Sequence, residues 1–263
     1  MQIERYRHGV SIWLLIVAGM VLFMIIVGGL TRLTQSGLSM VEWRPLMGTI
    51  PPITEAEWLD VFGKYKAYPE YQKVNKGMSL SEFKSIFYFE YSHRVLGRLI
   101  GMVFAFPALF FWIKKAFSKA MIPQMLLLFV LGGAQGVIGW WMVSSGLVDR
   151  PDVSHYRLTL HLGMAVSLYI ALLWIALKHR KGNIFASSGR IGTKMASLLL
   201  GLVFVVLLSG GLVAGLNAGH MMNTFPLMNG QWIPNGLYLE NLGLSNFTEN
   251  RIMLQFNHRY LAL

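Results

Sequence analysis

Four long apolar stretches, Val10–Leu30, Met121–Val143, Tyr156–Leu177 and Met195–Leu216, leave this chain few ways to fold. Each can cross a hydrocarbon core, which takes about 20 residues of helix, and a helix satisfies its main-chain polar groups without water. A fifth stretch, Phe87–Ile113, is as long but carries Glu90, His93, Arg94 and Arg98 in its first half. A sixth begins near Arg251 and is still running at Leu263. Only 13% of the residues are charged, about half of what a soluble domain uses to cover its surface. The fold class implied is an all-α membrane protein, a transmembrane helix bundle.

Charge sets the orientation of that bundle. The net charge of +11 would suit nucleic acid if it formed one patch, but it is split. Arg5 and Arg7 precede the first span, Lys114, Lys115 and Lys119 link the second and third, and Lys178, Arg180, Lys181, Arg190 and Lys194 link the fourth and fifth. These segments share one side, which the positive-inside rule makes cytoplasmic. The expectation is a multi-pass protein of the bacterial inner membrane with a cytoplasmic N-terminus, a retained first span and no nucleic-acid partner. The opposite face carries the segment Thr31–Ser85, with seven basic and six acidic residues. The chain has no cysteine, which rules out disulfide bracing and thiolate metal ligands.

The chain also repeats itself. Gly28-Gly29-Leu30 is answered by Gly210-Gly211-Leu212, Gly37 by Gly219, and Pro45-Leu46-Met47 by Pro226-Leu227-Met228 one residue out of step. Glu90-Tyr91-Ser92-His93-Arg94 is answered by Gln255-Phe256-Asn257-His258-Arg259. The fifth and sixth spans therefore copy the first and second. Both copies start on the cytoplasmic side, which predicts parallel repeats about an axis along the membrane normal. Residues 1–181 form the first four-helix repeat, with the outer loop 31–85, and residues 182–263 the second. Completing the second copy would give eight helices, of which about five and a half are present here; the sequence reads as shortened at its C-terminal end.

Ionisable groups inside a span cost about 2.5–3.5 kcal/mol each on insertion scales, so those that remain need a reason. His93, His161 and His258 are expected at one depth below the outer surface. Each is followed four residues later by a small residue, Gly97, Ala165 and Ala262. A histidine above a flattened helix face suits a planar macrocycle, and imidazole is a good axial ligand for haem iron. Hydrogen-bonded structural histidines and close packing at the small residues are the competing explanation. Glu90 stands one turn before His93, and its counterpart is Gln255. A carboxylate can take up protons and an amide cannot, although a structural pairing with Arg94 or Arg98 explains Glu90 equally well. Arg94, Arg98, Arg157 and Arg259 are candidates for haem propionates, because guanidinium matches carboxylate geometry.

The segments GGLTRLTQSGLSMVEWRP (Gly28–Pro45), IPP (Ile50–Pro52), FEYSHRVLGR (Phe89–Arg98), HYRLTLH (His155–His161) and NTFPLMNGQW (Asn223–Trp232) closely resemble haem A synthase, in the cysteine-free branch of alphaproteobacteria and mitochondria. The resemblance covers essentially the whole chain. It implies an oxidoreductase that oxidises the C8 methyl of haem O to the formyl of haem A for terminal oxidase assembly, with water as the oxygen source. It further implies that the first half binds the substrate haem O, with His93 and His161 as ligands and Glu90 as the catalytic glutamate. The second half then holds a haem b with His258 as one of two histidine ligands. The second ligand of that pair is expected beyond Leu263, and no residue here matches it. Partners implied are haem O synthase, an electron acceptor that the residues do not identify, and a second copy of the chain. A two-haem electron-transfer cytochrome and a repeat-built transporter are the rival functions that histidine spacing alone leaves open.

Overall fold

The computed structural model describes residues 2–42, 47–181 and 190–263. The motif residues Trp43–Leu46 and the boundary between the expected repeats at 181/182 lie outside the described residues. The described chain is helical, with nine α-helices and no strand. Five helices are long and apolar enough to cross a membrane: α1 (Gln2–Leu33), α4 (Leu80–Ile113), α5 (Ile122–Ser144), α6 (His155–Lys181) and α7 (Arg190–Gly215). Between α1 and α4 lie the short helices α2 (Glu55–Lys66) and α3 (Pro69–Lys73), and α7 is followed by α8 (Asn246–Glu249) and α9 (Arg251–Leu261). The chain divides into two compact units, and α6 contributes to both: Val153–Gly163 belongs with the second and its continuation from Met164 with the first.

In the first unit, Val10, Trp13, Leu14, Val17, Ala18 and Val21 recur at the three-and-four spacing that keeps one face of α1 inward. They form a core with Phe111 of α4, Met125 and Leu128 of α5, and Leu168, Leu172 and Ile175 of α6. The few polar atoms on these faces are satisfied through the main chain. Ser11 donates to the Ala176 carbonyl at 2.9 Å and the Trp13 indole to the Val103 carbonyl at 2.8 Å. The opposite faces of the spans are apolar and open, with Phe106, Phe129 and Val130 each more than half exposed, as suits lipid contact.

The outer loop of this unit is folded. Thr54 caps α2 in a reciprocal box with Glu57, and Ser79 caps α4 in the same way with Glu82, each box satisfying two otherwise orphaned N–H groups. Trp58, Phe62 and Tyr65 of α2 pack on Phe83 and Phe87 of α4. The Phe62 and Phe83 rings are stacked at 4.8 Å between centroids, and Trp58 meets Phe87 edge-on at 5.0 Å. Glu70 of α3 is 5% exposed and accepts from the Tyr65 hydroxyl at 2.9 Å. Burial raises its pKa to about 7, and repulsion from Glu90 and Asp152 adds to the rise.

In the second unit the start of α6 lies against α7. A side chain at Gly211 would meet the Thr159 hydroxyl at 2.9 Å, and Gly215 is in close contact with His155. Tyr156 donates to Glu249 at 2.7 Å. Asn250 caps α9, accepting from the N–H groups of Ile252 and Met253.

Candidate functional site

The histidine of each repeat sits on the glycine of its own repeat. A Cβ at Gly28 of α1 would stand 3.2 Å from Nε2 of His93 on α4, and a Cβ at Gly210 of α7 would stand 3.0 Å from Cε1 of His258 on α9. Both distances are too short for an alanine to be added without moving the imidazole. The Gly-Gly-Leu landmarks are therefore seats, each shaped for one ring. Gly97, one turn after His93, faces the Met24 methyl at 3.0 Å, so the flat stretch of α4 receives a methionine from α1.

Directly after each histidine, an arginine holds the loop that follows the glycine helix. Arg94 donates to the carbonyls of Met40 at 2.8 Å and Glu42 at 3.2 Å. Arg259 donates to the carbonyls of Met222 at 2.8 Å and Thr224 at 2.6 Å. The register that pairs Gly28 with Gly210 also pairs Met40 with Met222 and Glu42 with Thr224, so the two clamps are equivalent atom for atom.

The acid and the amide split this equivalence. Glu90, 3% exposed, accepts at Oε2 from the Ser39 hydroxyl (2.7 Å) and the Met40 N–H (2.8 Å), and at Oε1 from Arg94 (2.6 Å). Gln255, 7% exposed, instead donates through Nε2 to the Met222 carbonyl at 2.9 Å. The same loop residue is thus gripped by its N–H in the first repeat and its C=O in the second. Of the two readings left open for Glu90, the pairing with Arg94 is present, and the first site carries a carboxyl group where the second carries an amide.

The remaining candidates fall in both units. His161 and Arg157 stand on the α6 segment belonging to the second unit, with His258 and Arg259, whereas His93, Arg94 and Arg98 belong to the first. His155 lies with its Nε2 3.5 Å from the Glu249 carboxylate and its ring 4.0 Å from that of Tyr156, which is an anchoring arrangement at the start of α6. Among the described residues no cluster of three or more His, Asp or Glu side chains could hold a bare metal ion.

Three participants escape a reading of the sequence. Ser39 and Met40 come to Glu90 from 51 and 50 residues away. Ser209, next to Gly210, reaches Nδ1 of His258 at 2.8 Å while its hydroxyl also meets the Val206 carbonyl at 2.8 Å. One hydroxyl proton cannot serve both contacts, and the carbonyl can only accept. Ser209 therefore donates to Val206, His258 donates from Nδ1–H to Ser209, and Nε2 keeps its lone pair. A neutral imidazole in this tautomer fits axial ligation of a haem iron.

The chain matches, over residues 11–263, a family model described as cytochrome oxidase assembly protein. It is 49% identical to the haem A synthase of Parvibaculum lavamentivorans, over 98% of this chain and 75% of that protein. It is 51% identical to the haem A synthase of Paramagnetospirillum magneticum, over 97% of this chain and 73% of the relative, and 48% identical to that of Nitrosospira multiformis, over 96% and 72%. No solved structure matches the chain.

Proposed function

The chain belongs to the family of cytochrome oxidase assembly proteins, and from that premise we propose that its activity is that of a haem A synthase, converting haem O to haem A in the membrane. The reaction is an oxidation at the C8 methyl. One hydroxylation by water gives the alcohol and a second gives the hydrated aldehyde, which loses water to leave the formyl. Net, one water oxygen is retained, and four electrons and four protons leave per methyl oxidised. The first repeat, residues 1–181, is the substrate half, with His93 and His161 holding haem O. The second, from residue 182, is the haem b half, with His258 as an iron ligand. Haem b, when bound, supplies a one-electron carrier between substrate and an external acceptor.

Glu90 is the proton-handling group. Its carboxylate is fixed by Ser39, Met40 and Arg94, and ionised oxygens offer about four lone-pair positions in total, so one is left at Oε1 for a substrate proton. The Ser39 hydroxyl can turn and release a second. Arg94, Arg98, Arg157 and Arg259 supply positive charge for propionates, Arg94 and Arg259 from positions where they also hold the loops. The N-terminus lies on the cytoplasmic side of the bacterial inner membrane, and haem O synthase is the partner that delivers substrate.

The observation that carries this reading is the histidine seat built twice, with an acid beside one copy and an amide beside the other. The test is to produce the full-length protein together with a haem O synthase and chromatograph the extracted pigments. Haem A, with haem b retained, is expected. An extract holding only haem O and haem b, with no alcohol or formyl product, would overturn the reading in favour of an electron-transfer cytochrome.

A further inference from the structure

The residue bonded to His258 differs between the two repeats. The register pairing Gly28 with Gly210 places Val27 opposite Ser209, and valine has no hydroxyl. In the second repeat the serine is locked at both ends, donating to Val206 and accepting from His258, while Gly210 lets the ring lie directly on α7. Among the described residues His258 makes no hydrogen bond other than that to Ser209. The serine consequently fixes the rotation of the ring, its tautomer and the direction of Nε2.

We propose that Ser209 is a positioning residue for the resident haem, holding His258 as a strong, permanently oriented iron ligand. This rests on His258 being the haem b ligand. A hydrogen bond from Nδ1–H to an acceptor makes the imidazole a better electron donor, and outer hydrogen bonds to metal-bound histidines are commonly worth 10–100-fold in affinity. A resident carrier needs tight retention and a potential low enough to pass electrons on.

The test uses the full-length protein and reads haem b per protein and the haem b reduction potential. Ser209→Ala should lose haem b at least tenfold more readily on dilution or competition with apomyoglobin, and its potential should move positive. Ser209→Cys, a weaker acceptor, should fall between, and Ser209→Thr should stay near the parent. Parent-like retention and potential in Ser209→Ala would overturn the inference. Should that variant fail to fold, a parent-like potential in Ser209→Cys would overturn it equally. Full haem b content in His258→Ala would instead sink the ligand assignment beneath it.

Discussion

Glu90 and Arg94, one turn apart on α4, are joined at 2.6 Å through Oε1 and Nη2, and both grip the same loop residue, Met40, one by its N–H and the other by its carbonyl. The pair is 4% and 14% exposed at its side chains, so neither charge can be left alone cheaply. The arrangement does two things together. It presses the outer loop onto the helix that carries His93, and it places a carboxyl group one turn from that histidine.

Replacing Glu90 with glutamine should separate these two roles. The amide keeps an acceptor for Met40 but points toward Arg94 or Ser39 with N–H groups. Loss of a buried charge-assisted contact costs about 3 kcal/mol. Haem A formation should fall to background while haem b content is retained. Pigment analysis alongside thermal unfolding in detergent checks both, and undiminished product would remove Glu90 from the chemistry.

Alanine at the two seat glycines should damage different haems. Gly210→Ala presses on Cε1 of His258 and should deplete haem b, whereas Gly28→Ala presses on Nε2 of His93 and should stop turnover of haem O with haem b left in place. Extracted haem ratios from the two variants are the measurement. Equal loss of haem b in both would argue against separate seats.

The outer loop should behave as a small hydrophobic domain. Phe83 is fully buried against Phe62, Tyr65 and Phe87, and truncating a buried phenylalanine to alanine costs about 3–5 kcal/mol. Phe83→Ala should make residues 47–79 sensitive to protease added from the outer side, without preventing membrane insertion. Protection equal to that of the parent would contradict the packing.

Glu70 gives the loop a pH dependence of known sign. Its carboxyl is raised from 4.5 to about 7, first by burial and then by repulsion from Glu90 and Asp152, while the hydrogen bond from Tyr65 acts the other way. The folded loop therefore binds the proton more tightly than the unfolded one. Its stability should be greatest at low pH and fall as pH rises from about 4.5 to 7, levelling off above. A shift of this size is on the order of 3 kcal/mol. Protease protection of the loop against pH should lose that slope in Glu70→Gln, and a slope unchanged by the substitution would remove Glu70 as its source.

The spans were legible in the sequence, because hydropathy is a local signal, and the repeat landmarks and candidate side chains could be named from it because their order is collinear. What could not be read is which groups complete the sites. Ser39 meets Glu90 only because α1 and α4 pack side by side, and Ser209 meets His258 across 49 residues for the same reason in α7 and α9. Nor does a run of apolar residues reveal that the first turns of α6 pack with α7 while the rest packs with α1. The repeat itself contained the needed hint at one point: Val27 stands against Ser209, a difference beside an identity.

The central claim is that the two copies hold different haems, His93 the one that is transformed and His258 the one that stays. The most direct measurement is the haem content of the purified full-length His93→Ala protein, produced with haem O available. The account predicts a parent-like quantity of haem b with neither haem O nor haem A retained. Loss of haem b, or continued formation of haem A, would contradict it.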